Sequence, residues 1–117
     1  MFARAPFRKQ GRNRCMNWYS GLYTGKNAEK NAKRRIKEIN KGIYRGNTYL
    51  ITLAANPANQ LEIFSVHQLR FSYIRRNCPL ILGIASGKEE ALEIFLEIVR
   101  QVYRETGDVK IREYFAY

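Results

Sequence analysis

The residues that build catalytic and metal centres are scarce in this chain. Its 117 residues include one histidine, His67, one aspartate, Asp108, and two cysteines, Cys15 and Cys78. A general base needs a nucleophile within hydrogen-bond reach, and a metal needs several ligands; a single imidazole, eleven residues from Cys78, supplies neither pattern. The expectation is therefore a non-enzymatic protein with no cofactor and no metal. Two cysteines make no disulfide scaffold and read as free thiols in a reducing cytoplasm. Long apolar runs are also missing. Tyr49–Ala55 and Pro79–Ala85 fall far short of the roughly 20 residues of a membrane span. The N-terminus lacks the apolar stretch of a secretory signal.

Positive charge, by contrast, is abundant and unevenly placed. Residues 1–46 carry thirteen Lys and Arg against two Glu, whereas residues 47–117 carry eight against eight acidic groups. The whole net charge of +11 thus resides in the first 46 residues. A cationic segment beside a neutral core points to a polyanionic partner. Five basic residues and no acidic ones occupy positions 1–15, which show neither helical nor strand period. They read either as a cationic tail touching nucleic acid or as residues ahead of a true start at Met16. Residues 1–21 are accordingly assigned to a basic, flexible N-terminal segment and 22–117 to a single domain.

Ala28, Ala32, Ile36, Ile39 and Ile43 recur at helical spacing, which predicts a helix over about 26–41. Lys26, Lys30, Lys33, Arg34, Lys37 and Lys41 gather within about 100° on its opposite face. Asn47–Ala55 reads as a buried strand closed by a turn at Asn56-Pro57-Ala58-Asn59. Residues 60–76 are expected to form a short extended piece and then a short helix. Pro79–Ala85 suits a central strand. Ser86 and Glu89 form a capping box for a helix over 87–106 that ends at Gly107. The buried face of that helix is predicted as Leu92, Phe95, Leu96, Val99, Val102 and Tyr103, widened by Ala91, Ile94 and Ile98. So broad an arc calls for neighbours on both sides. Alternation at Val109–Phe115 predicts an edge strand.

The expected architecture is a small α/β domain, with α+β as the alternative. It has a sheet of three or slightly more strands, an N-terminal basic helix and a βαβ C-terminal half. The runs Thr48–Pro57, Leu82–Leu92 and Tyr103–Asp108 resemble those of a group of short uncharacterised bacterial α/β proteins. The resemblance spans about residues 20–115 and implies no activity, ligand or site.

Six cations on one face would bind a phosphate backbone through counterion release, so DNA or RNA is the leading partner. The nucleic-acid-binding candidates are Lys26, Lys30, Lys33, Arg34, Lys37 and Lys41, with Arg35 and Arg45 at the margin. The competing reading is a solvated lysine face, or one that docks on an acidic protein as an adaptor or inhibitor. The edge at Val109–Phe115 could support a homodimer. Trp18, Tyr19, Tyr23 and Tyr44 flank the patch and would either stack on bases or staple the helix to the core. The apolar stripe is too narrow for insertion into a membrane surface. Gly21–Asn27 and Gly83–Glu89 look like phosphate loops, but each is one residue short between its glycines and lacks the Ser or Thr after Lys. Arg75 and Arg76 would extend the basic surface if their loop lay beside the first helix.

Overall fold

A mixed four-stranded sheet organises the molecule, in a computed structural model that describes residues 16–54 and 59–115. The tail 1–15 with Cys15, and Asn56–Pro57–Ala58 of the expected turn, lie outside the described residues. The strands are β1 (Trp18–Thr24), β2 (Thr48–Leu53), β3 (Leu61–Ser65) and β4 (Ile81–Ser86), in the spatial order β1-β4-β2-β3. β1 runs parallel to β4, and β2 runs antiparallel to both β4 and β3. The helices are α1 (Lys26–Glu29), α2 (Ala32–Asn40), α3 (Ser72–Arg76), α4 (Lys88–Thr106) and α5 (Ile111–Phe115). A 3-10 turn, Val66–Arg70, precedes α3.

Strand alternation divides the core in two, because successive side chains leave a strand on opposite faces. Ile51, Leu61, Leu82 and Ala85 join Ala91, Ile94, Ile98 and Val102 of α4 and Ile111 and Phe115 of α5. Leu50, Ile81 and Ile84 join Ile39 of α2 and Val66 and Leu69 of the 3-10 turn on the other side. Ile81 and Ile84 share a face because the β2–β4 register shifts: Ile51 pairs with Gly83, whereas Thr52 pairs with Ile81. The bulge turns Gly83 toward α4, where a Cβ would lie 2.9 Å from Ile94 Cγ2 and 3.2 Å from Tyr23 O. Only glycine lets β1, β4 and α4 approach this closely.

The α/β class, the strands at Asn47–Ala55 and Pro79–Ala85, the extended-then-helical reading of 60–76 and the long helix closed by Gly107 all agree with the sequence. Five details do not. First, β1 begins inside the stretch assigned to the basic segment, and Ile81 N donates to Asn17 O at 2.8 Å. Trp18, Tyr19, Leu22, Tyr23 and Thr24 are good strand formers whose pattern the interior Gly21 interrupts.

Second, the basic helix is two helices. Asn31, at φ −112° and ψ 12°, leaves helical geometry. The break lets Ala28 bury over β4 while α2 turns to bury Ile39. Like charges at i, i+4 spacing along this segment already oppose an unbroken helix.

Third, Val109–Phe115 is not an edge strand. Ile111 and Phe115, four residues apart, both bury on one side of a short helix, and β1 takes the parallel place beside β4. Arg112 holds α5 to the end of the sheet, its Nη1 donating to Ala54 O at 2.9 Å. The expected βαβ unit and the open edge at 109–115 are therefore absent from the fold.

Fourth, the capping residue is Glu90 rather than Glu89. Gly87, at φ +94°, is the N-cap, a conformation that favours glycine, so the helical register moves by one residue. The Ser86 amide donates to Glu90 Oε1 at 2.7 Å, and the Ser86 hydroxyl accepts from Arg35 instead. Fifth, Leu92, Leu96 and Tyr103 of α4 are exposed, at 47%, 49% and 59%.

Candidate nucleic-acid interface

The basic face is built outward from Ile39. That side chain is buried among Leu50, Ile81 and Ile84, with Ile36 and Tyr44 half-buried beside it, which fixes the rotation of α2 about its axis. Lys33, Arg34 and Lys37 then point into solvent, and Lys41 follows at the C-cap on the same side. Lys26 and Lys30 are exposed too, but on α1 and at the break, so they stand beside this face rather than along it. The structure thus joins four of the six candidates on one helical face and leaves two adjacent to it.

Few carboxylates oppose these charges. Among the described residues, none lies within ion-pair distance of Lys26, Lys30, Lys33, Lys37 or Lys41. Glu38 is the local counter-charge. It accepts from Arg45 Nη2 at 2.7 Å and sits 3.7 Å from Arg34 Nη1. The Arg45 hydrogen bond, with the nearby charges of Arg45, Arg34 and Arg35, holds the Glu38 carboxyl below its ordinary pKa. Arg45 is correspondingly engaged, and Arg34 is partly so.

Arg35 has a different task. Half-buried, it donates from Nη1 to Thr48 Oγ1 at 2.8 Å and from Nη2 to Ser86 Oγ at 3.5 Å, tying α2 to β2 and β4. It is a positioning residue, not part of the solvent face. No family model matches the chain, and no curated protein or solved structure matches it significantly.

The flanking aromatics are stapled inward. Trp18 Nε1 donates to Asn40 Oδ1 at 3.0 Å, and the Met16 amide donates to the same oxygen at 3.2 Å. Tyr19 meets Phe115 edge to face, with centroids 5.1 Å apart. Tyr23 is packed against the α4 side, where its hydroxyl donates to Gln101 Oε1. Burial, reinforced by Tyr19, Tyr114, Glu97 and Glu105, pushes Tyr23 up to about 12. These contacts favour the staple over base stacking.

Sequence reading passed over Arg70. The 3-10 turn lies on the α2 side of the sheet, where exposed Arg70 donates from Nη2 to Tyr44 O at 3.2 Å. Arg75 folds back onto its own segment, donating from Nη1 to Leu69 O at 2.8 Å. The cue for Arg70 was the Val66–Leu69 pair, whose burial sets the rotation of the turn.

The two phosphate-loop look-alikes meet at one carboxylate. Glu90 Oε2 accepts from the Asn27 amide at 2.7 Å while its Oε1 holds the Ser86 amide. Those two amides, one in the first turn of α1 and the other at the end of β4 just ahead of the α4 cap, are thereby satisfied by the protein itself. The carboxylate also explains Gly25, where a Cβ would lie 2.2 Å from Glu90 Cδ. His67 and Cys78 are likewise engaged separately. His67 Nε2 donates to Gly46 O at 3.0 Å, and Cys78 belongs to the α2-side core, where burial pushes its thiol up to about 12. A thiol held protonated is a poor nucleophile.

Among the described residues no helix is long and apolar enough to cross a membrane.

Proposed function

We propose that this protein binds nucleic acid without catalysis, through the solvent face of α2 and the adjacent α1 turn. The observation that supports this reading is the cluster of exposed lysines, Lys26, Lys30, Lys33, Lys37 and Lys41, that lack a carboxylate partner among the described residues. Repulsion within such a cluster is relieved when phosphates replace water around it. Lys33, Arg34, Lys37 and Lys41 lead the contact, and Arg70 extends it past Tyr44. Contacts of this type reach phosphates rather than base edges, so little sequence preference is expected.

Neutralising five phosphates on duplex DNA gives a log K against log salt slope of about −4.5, so a fourfold rise in salt weakens binding roughly 500-fold. The test is fluorescence anisotropy of the nuclease-treated full chain with labelled single- and double-stranded DNA and RNA across a salt series. Steep, salt-sensitive binding supports the proposal. Absence of binding by a folded protein at low salt would refute it and turn attention to an acidic protein as the partner of the same face.

A further inference from the structure

α4 carries a second apolar stripe that the described residues leave uncovered. Leu92, Leu96, Val99 and Tyr103 follow one another at spacings of four, three and four, which is the heptad rhythm of a helix-pairing seam. At 100° per residue they fall within about 60° of arc. Leu92, Leu96 and Tyr103 are among the large apolar side chains most open to solvent, and Val99 is half-buried. The stripe continues the buried face at Ala91, Ile94, Ile98 and Val102 without a polar interruption, so the apolar arc is far wider than the sheet beneath it covers.

The charges beside this seam are ordered by sign. Glu93 and Glu97 occupy the N-terminal half and Arg100 and Arg104 the C-terminal half, all exposed and outside the ion pairs among the described residues. In heptad terms Glu93 and Arg100 hold equivalent flanking positions one heptad apart. A second α4 laid antiparallel, with Leu96 opposite Val99 and Leu92 opposite Tyr103, brings Glu93 of each copy to Arg100 of the other. Glu97 and Arg104 stand in the same relation to Arg100 and Glu93 on the outer side. A parallel copy would instead bring Glu93 to Lys88 of the other copy and leave Arg100 beside Phe95, without a carboxylate opposite it. The surface is therefore self-complementary under a two-fold axis, and most fully in the antiparallel sense, where Glu93 and Arg100 both find an opposite charge.

We infer that the exposed stripe of α4 is the contact face of an antiparallel homodimer. The inference is independent of the nucleic-acid reading, because α4 and α2 lie on opposite sides of the sheet. One helix pair is a small interface, and its dissociation constant is expected on the order of 10 µM.

Sedimentation of the full chain, freed of nucleic acid, from about 1 to about 300 µM tests this over the range in which such an affinity is visible. The expected result is a monomer that becomes a dimer across the series. Leu96→Glu, at a half-exposed position, should leave circular dichroism and the thermal midpoint unchanged and keep the protein monomeric throughout. Glu93→Arg and Arg100→Glu should each weaken the dimer about tenfold by opposing like charges, and the double swap should restore it. A monomer at every concentration would overturn the inference, as would a dimer indifferent to Leu96→Glu. Failure of the double swap to recover what the single changes lose would overturn the antiparallel pairing.

Discussion

The two sides of the sheet solve different problems with helices of opposite character. α2 has four cations against one carboxylate and buries a single residue, Ile39. α4 has three cations against five carboxylates and buries Glu90, Ala91, Ile94, Ile98 and Val102. One helix is held lightly and presents charge; the other is held along its length and presents apolar surface. The comparison teaches that net charge belongs to a face rather than to a chain. An overall value of +11 conceals one side that would repel its own kind and another that fits it.

The sharpest way to break this contrast is to cut the deeper anchor. Ile98→Ala, in the middle of α4, should destabilise the fold by about 3–4 kcal/mol in urea unfolding, whereas Ile39→Ala under α2 should cost about 2 kcal/mol. Equal losses would mean that the lightly held helix is as integral to the core as α4.

Glu90 is the next test, because its carboxylate joins α4 to the α1 turn. Glu90→Ala leaves the Asn27 and Ser86 amides without their acceptor and should cost about 2–3 kcal/mol, with Glu90→Gln losing about half as much. A thermal or urea midpoint unchanged by both substitutions would remove the clasp from the account.

The smallest expected effect concerns Tyr23, which links β1 to α4. Its pKa is raised to about 12 in the folded chain, against about 10 when unfolded. The unfolded state therefore loses its proton first, and stability that is complete below pH 10 declines as pH rises toward 12. Tyr114, raised likewise to about 12 by its hydrogen bond to Glu105, contributes to the same decline. Tyr23→Phe should therefore make it shallower without abolishing it in chemical denaturation at successive pH values.

Much of this architecture was legible in the sequence, and the exceptions have physical causes. Periodicity located α4 and its Gly107 terminus because a 19-residue amphipathic pattern is hard to misread. Periodicity also placed the cations of the first helix opposite Ala28 and Ile39. It missed the break at Asn31, since a helical wheel continues through a turn that only packing against β4 selects. The alternation Val109, Ile111, Glu113 looked like a strand, but Ile111 and Phe115 fit one helical face equally well, and the contact with Tyr19 decides between them. β1 went unread because charge dominated its neighbourhood. The cap moved from Glu89 to Glu90 through the backbone of Gly87, which no side-chain pattern reports. For the candidate site, sequence placed Lys33, Arg34, Lys37 and Lys41 on one face. It could not foresee that Arg35 turns inward to Thr48 and Ser86, or that Arg70 arrives from a segment 25 residues further along than Arg45.

The measurement that addresses the central claim most directly is nucleic-acid binding by Lys33→Glu/Lys37→Glu in the full chain, alongside the parent protein at physiological salt. Both positions are exposed, so the thermal midpoint should move little. Loss of at least about 100-fold in affinity is predicted, with a salt slope shallower by about two, because two phosphate contacts are removed and like charge is added. Unchanged affinity and unchanged slope in a folded double variant would contradict the account and detach the basic face of α2 from nucleic acid.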